Sequence, residues 1–216
     1  DGENHLARFA NYAVAMREGQ IPPRFAPNLL NHYGYPVFNY NYPLANILSL
    51  PLSVVDVPYE MTFKILMTGS LISGMLGVYH LLRKMRGSKY VAALGSLPWL
   101  SAPYLVSTTI YRGNIGEVMA MGTVPWLLYL VERWRKKWTY WDLAVGGGLW
   151  TVFMLSHNIA VLLLAPVVVL WAVTRMWGNW RRLGSWASTV GLGVLGSLWF
   201  WLPALAEKKF VILDNV

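Results

Sequence analysis

The chain has 216 residues and a formal net charge of +8, with 56% of its residues apolar and only 13% charged. Its mean hydropathy is +0.40. A water-soluble domain carries about 25% charged residues, so this chain lacks the charge to wet its own surface, which excludes a disordered tail, a collagen-like repeat and an ordinary cytosolic enzyme. It has no cysteine, so disulfide frameworks, thiolate metal sites and cysteine nucleophiles are excluded together. The 12 Trp, 12 Tyr and 19 Gly fit a membrane protein, because aromatic rings gather at membrane interfaces and glycine is frequent in membrane helices. The basic residues sit in short clusters between apolar runs rather than on one soluble face, so nucleic acid is not the expected partner; the lipid bilayer is. A chain beginning at Asp1 without methionine or a signal-like segment reads as a processed or excised piece of a larger membrane protein.

The first 57 residues differ from the rest. From His5 to Glu18, Leu6, Phe9, Ala10, Ala13 and Met16 recur at helical spacing, which predicts a short amphipathic helix lying in the membrane interface and ended by Gly19. Asp1, His5 and Arg8 fall on one face of that helix. A loop dense in Pro, Asn and Tyr follows from Gln20 to Tyr42. Pro43 to Val57 is apolar but short and interrupted by Pro51, which predicts an interfacial or re-entrant helix rather than a crossing.

Beyond residue 57, six apolar stretches approach the roughly 20 residues that a helix needs to cross a bilayer. They run from Tyr59 to Leu82, Tyr90 to Tyr111, Gly116 to Val131, Tyr140 to His157, Ile159 to Trp177 and Trp186 to Leu205. The expected fold is therefore an all-α polytopic bundle of about six spans (58–216) behind an extracytoplasmic interfacial loop (1–57). Lys and Arg accumulate in short cytoplasmic loops. Arg83, Lys84, Arg86 and Lys89, then Arg133, Arg135, Lys136 and Lys137, then Arg175, Arg181 and Arg182 fall on one side of such a bundle, 11 of the 18 basic residues. That side is read as the cytoplasm, in a multi-pass protein of the cell membrane. Asp1, Glu3, His5, Arg8, Arg24, Arg112, Glu117, His157 and Glu207 collect on the opposite face.

Several of these residues admit two readings. Arg112 and Glu117 suit a structural ion pair at a helix rim as well as phosphate binding. His157 either caps a helix or orients a ligand; the Ser156-His157-Asn158 triplet interrupting the uncharged run from Leu143 to Thr174 favours the second. Asp1 and His5 can hold a divalent metal ion, although two ligands make a weak site and no cofactor is required by the sequence. Gly146-Gly147-Gly148 lacks the Gly-Lys-Ser/Thr of a phosphate loop and reads as close helix packing, as does the run Gly191, Gly193, Gly196.

Asp1-Gly2-x-x-His5-Leu6-x-Arg8, Gly19-x-x-Pro22-Pro23-Arg24, Gly34-Tyr35-Pro36-x-Phe38 leading to Tyr42-Pro43-Leu44, then Ala102-Pro103-Tyr104, Tyr111-Arg112-Gly113 followed by Glu117, and Leu155-Ser156-His157-Asn158 together resemble the large membrane proteins of the GT-C glycosyltransferase superfamily. Within it they are most similar to the bacterial and archaeal membrane family labelled "6-pyruvoyl-tetrahydropterin synthase related", a label that does not signal pterin chemistry here. Phe25 stands where that family often has Trp, and Asn41-Tyr42-Pro43 replaces a more usual Tyr-Pro-Pro. The resemblance implies a sugar donor linked to polyprenyl phosphate, an extracytoplasmic acceptor hydroxyl and Asp1 as general base. It further implies that His5, Arg8, Arg24, Arg112, Glu117, His157 and Asn158 bind substrate, with Arg24 and Arg112 as the cations for the leaving phosphate. Asp1, Arg24, Arg112 and His157 are then expected to line one cavity. Two other readings stay open: a non-catalytic membrane protein of the same fold that binds lipid-linked glycans, and a solute transporter, against which stand the absence of a repeat and the position of charges near span ends. No sequence feature bears on oligomeric state.

Overall fold

The computed structural model describes residues 2–210, apart from the side chains of Arg86 and Phe210, and the described residues are almost wholly helical. Helix α1 (Gly2–Arg17) is followed by a loop, and α2 (Leu44–Val54) by α3 (Tyr59–Arg86). Next come α4 (Lys89–Ser96), α5 (Pro103–Val106) continuing as a π-turn over Ser107–Arg112, α6 (Ile115–Trp134), α7 (Tyr140–Ser156), α8 (Asn158–Met176) and α9 (Trp180–Ala206). No strand occurs among the described residues; the loop after α1 is closed by one antiparallel bridge between Ala26 and Tyr35.

Among the described residues four helices are long and apolar enough to cross a membrane: α3, α6, α8 and α9. Helix α7 is apolar but has 17 residues, about 26 Å at about 1.5 Å per residue. The stretch expected as one span from Tyr90 to Tyr111 is not a single helix. Pro98 and Pro103 each remove a backbone N–H donor and clash with the preceding turn, and the segment breaks into α4, a 3₁₀ turn at Leu97–Trp99, α5 and the π-turn. It still runs the length of α3: Gly95 lies against Leu82, Trp99 against Gly74, and Gly113 near Phe63.

Helix α6 is the centre of the bundle. It buries 72% of its apolar window, against 17% in α3, 28% in α8 and 22% in α9. Leu127, Leu130, Val131 and Trp134 of α6 pack with Trp150 and Phe153 of α7, Val168 and Ala172 of α8, and Trp186 of α9. Outward from this core, Leu162, Leu163, Val167 and Leu170 of α8 and Leu195, Leu202 and Leu205 of α9 are exposed. Helix α2 buries Asn46, Ser49 and Ser53 together with Leu44 and Ala45, while Leu48 and Val54 are exposed. Apolar surface outside and polar groups inside is the distribution expected where the surrounding solvent is lipid.

Glycine sets the closest helix contacts. Helices α7 and α9 run parallel, with Gly146 against Thr189, Gly147 against Leu192, Gly193 against Trp150 and Gly196 against Thr151. Gly148 and Gly191 face open space and take no part in this seam. Helices α3 and α6 are also parallel, since Ser70 meets Gly122 and His80 meets Trp126 and Tyr129. The chain between them must therefore return over the full bundle height.

The two ends of the bundle differ in charge. At one end lie the termini of α3, α6 and α8 and the starts of α7 and α9. Glu132, 1% exposed, is held there by Arg175, whose Nη2 donates to Oε2 over 3.1 Å, and by Arg135 at 3.5 Å. Arg133 pairs with Asp142 at 3.0 Å, and Arg182 donates to the Trp134 and Lys136 carbonyls. The other end, about 30 Å away along the 20 residues of α6, carries the N-terminal segment and the site.

Candidate functional site

Helix α1 brings His5 to the site end. Of the stripe expected from Leu6 to Met16, Phe9 and Ala13 are buried and Leu6, Ala10 and Met16 half-buried; His5 and Tyr12 are buried beside them, so α1 docks onto the bundle with its histidine included. Gly19, at φ +91°, ends the helix in a left-handed turn in which Gln20 N–H donates to the Ala15 carbonyl over 3.0 Å. Helix α6 contributes its N-cap, Asn114, whose Oδ1 accepts from the Glu117 N–H at 3.2 Å. His157 sits between α7 and α8 and caps α8, its Nδ1 accepting from the Ala160 N–H at 3.2 Å.

Tyr42 joins these parts. Its hydroxyl donates to Asn114 Oδ1 over 3.1 Å and lies 3.5 Å from His5 Nε2, while its ring centroid is 4.7 Å from that of His157 and 6.1 Å from that of His5. With the hydroxyl proton on Asn114, the Nε2–H tautomer of a neutral His5 is the one that can donate to Tyr42. Burial pushes the His5 pKa from 6.5 down to about 3, helped by the nearby Arg8 guanidinium. Burial also lowers His157, with the Glu117 carboxylate opposing and Arg112 reinforcing. Burial raises Tyr42, with Arg8 beside the hydroxyl pulling the other way. Both imidazoles are therefore neutral at pH 7.

The tautomer of His157 follows from its cap. With Nδ1 accepting from Ala160, the ring proton is on Nε2, which faces the Asn114 Nδ2 amide at 3.4 Å. Two donors thus face each other, and an acceptor oxygen entering between them would satisfy both. The space for one adjoins them: a cavity of about 400 Å³ lined by Arg8, Tyr35, Tyr40, Asn41, Tyr42, His157 and Asn158. The buried side-chain oxygens of Asn41 and Asn158 have no hydrogen-bond partner there. Among the described residues Arg8 has no acidic partner.

The residues singled out in the sequence divide into three groups. His5, Arg8, His157 and Asn158 share the Tyr42 network or its cavity. Arg112 instead pairs with Glu117 at 2.8 Å and lines a second cavity of about 480 Å³ with Gly2, Glu3, Asn4 and Gly113. Arg24 lies apart: it donates to Asn39 Oδ1 at 2.6 Å and to the Trp199 carbonyl at 3.3 Å, and Asn39 passes the chain of bonds to Glu207 at 2.7 Å. That cluster ties the 20–42 loop to the end of α9, and Asn158 Nδ2, donating to the Tyr40 carbonyl at 3.1 Å, ties the same loop to the cavity. Asp1 lies outside the described residues; its covalent neighbour Gly2 abuts Gly113. Among the described residues no group of three or more His, Asp or Glu side chains is placed to hold a metal ion.

Tyr42 and Asn114 carry the network and were not among the expected site residues. Asn114 had a signal, since Asn-x-x-Glu ahead of an apolar run is a helix N-terminus signature. Residues 37–215 match the family described as "6-pyruvoyl-tetrahydropterin synthase related domain; membrane protein". No curated protein and no solved structure matches the chain.

Proposed function

The chain belongs to the 6-pyruvoyl-tetrahydropterin-synthase-related family of membrane proteins, and from that premise we propose that it is an integral membrane glycosyltransferase of GT-C type. It transfers a sugar from a polyprenyl-phosphate donor to an acceptor hydroxyl outside the cytoplasm. The observation that carries this reading is the cavity at the site end, where one guanidinium, a neutral imidazole N–H, three tyrosines and two amides with unmet acceptors meet beside exposed apolar helices. That set suits a phosphorylated sugar: cation and N–H donors for the phosphate, amides and phenols for hydroxyls and ring faces.

In the proposed reaction the acceptor oxygen attacks the anomeric carbon while the Asp1 carboxylate takes its proton. The bond from the anomeric carbon to the phosphate oxygen breaks, and the electron pair leaves with the polyprenyl phosphate. Arg8 and the His157 Nε2–H stabilise the charge that develops there. Arg112, neutralised by Glu117, positions the start of α6, and Arg24 holds the loop that roofs the cavity. A metal ion held by Asp1 and His5 is not needed for any of these steps.

The same proposal takes the basic end as cytoplasmic and the bundle (58–216) as six crossings of the plasma membrane behind an outer segment (1–57). The parallel run of α3 and α6 supports it, because the broken 87–114 segment must then cross back. The test is transfer of radiolabelled sugar from a polyprenyl-phosphate donor by membranes holding the full-length parent protein. Wild type transfers; Asp1→Asn loses transfer while still binding donor; Arg8→Gln loses donor affinity. No transfer with a panel of donors would reject the enzyme reading in favour of a lipid-glycan-binding protein of the same fold.

A further inference from the structure

At the basic end a second site faces the membrane, independent of the proposed transferase cavity. Tyr79, His80, Arg83 and Lys84 near the end of α3 and Tyr129 of α6 line a cavity of about 340 Å³. Its wall is ordered by rings: the His80 centroid is 5.4 Å from Trp126 and 5.9 Å from Tyr129, and Trp126 Nε1 is anchored to the Ser73 carbonyl at 2.9 Å. Arg83 Nη1 donates to the Tyr79 hydroxyl at 3.2 Å, which holds the guanidinium at the cavity mouth.

The acids at this end are already taken. Glu132 is bound by Arg175 and Arg135, and Asp142 by Arg133. Among the described residues neither Arg83 nor Lys84 has an acidic partner, so two cations converge on a cavity with uncompensated charge. Both side chains are exposed, so an anion from outside the chain can reach them.

The surface leading to the cavity defines what kind. Ile65, Ile72, Leu76, Tyr79 and Arg83 are spaced by seven, four, three and four residues and so form one stripe along α3. Ile65, Ile72 and Leu76 are exposed. The stripe runs from apolar through phenol to guanidinium, and the stretch from Ile72 to Arg83 rises about 16 Å, the scale of an acyl chain. A soluble anion would use the cations and leave the apolar stretch bare. An amphiphile with a negatively charged head uses both.

We infer that the His80, Arg83, Lys84 and Tyr129 cavity binds the phosphate of an anionic phospholipid from the leaflet at the basic end, with one acyl chain lying along Ile72 and Leu76. Arg83 and Lys84 contact the phosphate; His80 and Tyr129 donate to its remaining oxygens or to the headgroup.

Native mass spectrometry of the purified full-length protein tests this, with phosphatidylglycerol, phosphatidylcholine and sn-glycerol 3-phosphate as probes. Wild type should retain phosphatidylglycerol in preference to phosphatidylcholine. Arg83→Gln with Lys84→Gln should weaken the tightest phosphatidylglycerol at least tenfold, while Lys136→Gln with Lys137→Gln, at the same end but off the cavity, should not. Equal retention by the Arg83/Lys84 double variant overturns the site. Glycerol 3-phosphate binding as tightly as the lipid overturns the lipid assignment and leaves a soluble phosphate. If the double variant does not purify folded, Leu76→Asp, which charges the acyl track and spares the cations, must show the same selective loss.

Discussion

Replacing Gly193 by alanine puts a methyl group into the closest part of the α7/α9 seam. A Cβ built there lies 3.1 Å from the Trp150 carbonyl carbon and 3.2 Å from the Thr151 nitrogen, and nearer still to the Trp150 Cβ. Carbon atoms prefer separations of about 3.5–4.0 Å, and two of the three neighbours are backbone, so no side-chain rotation relieves the contact. Helix α9 must retreat from α7, which loosens the neighbouring contacts at Gly146, Gly147 and Gly196. Overpacking of this kind costs about 1–3 kcal/mol. For a chain of this size each kcal/mol lowers Tm by about 2–4 °C, so a cost of about 2 kcal/mol corresponds to a fall of about 4–8 °C. The assay is thermal loss of helical circular dichroism in detergent, with Gly191→Ala as control. Gly191 is on the same helix and a Cβ there meets nothing within 4 Å, so its variant should melt at or above wild type, since alanine is favoured over glycine in a helix by up to about 1 kcal/mol. Equal melting of the two variants would refute the seam.

Three further perturbations have defined outcomes. His5 has its pKa lowered to about 3, so the unfolded chain takes up a proton below pH 6.5 that the folded chain refuses until about pH 3. Stability contributed by keeping His5 neutral is present above pH 6.5 and falls as pH drops through that window, by about 2 kcal/mol at pH 5; His5→Gln should flatten this share of the pH–Tm curve. Arg175→Met leaves the buried Glu132 carboxylate with only the 3.5 Å contact to Arg135 and should cost about 3 kcal/mol, whereas Arg135→Met, which removes that longer contact, should cost under about 1 kcal/mol, both read by chemical or thermal unfolding. Gly116→Ala sets a Cβ 2.6 Å from the Ser156 carbonyl oxygen and 2.7 Å from a Tyr42 ring carbon. It should displace Tyr42 and abolish donor binding while circular dichroism still shows the helices; retained binding would remove Tyr42 from the site.

Much of the fold is legible because lipid simplifies the code. Helices α3, α6, α8 and α9 follow from apolar length, Gly19 marks the end of α1, and the 11 basic residues predict that three inter-span turns share one end; the contacts of Arg133, Arg175 and Arg182 bring two of them together, and the parallel run of α3 and α6 sets the third at the same end. The 90–111 segment is not legible as a broken helix from hydropathy, because mean hydropathy measures solvent preference and ignores hydrogen-bond continuity; Pro98 and Pro103 are the local signal of the break. In α1 the periodic stripe is half right: Phe9 and Ala13 are buried, but the helix also buries His5 and Tyr12, because the bundle end it meets is polar and aromatic. The motif alone places Arg24 at the cavity; its partners, Asn39 and the Trp199 carbonyl, with Glu207 beyond Asn39, lie far away in sequence, and no local pattern encodes that cluster. In the sequence Tyr42 is only part of a motif; its role depends on three distant regions meeting, helix α1 at His5 and the helix caps Asn114 and His157.

The most direct test of the account is a cryomicroscopy structure of the full-length parent protein with a polyprenyl-phosphate sugar bound. The account predicts phosphate density within hydrogen-bond reach of Arg8 and His157 Nε2, the sugar among Tyr35, Tyr40 and Asn158, and the Asp1 carboxylate facing the anomeric carbon. Donor seated away from that cavity, or Asp1 directed away from the sugar, would contradict it.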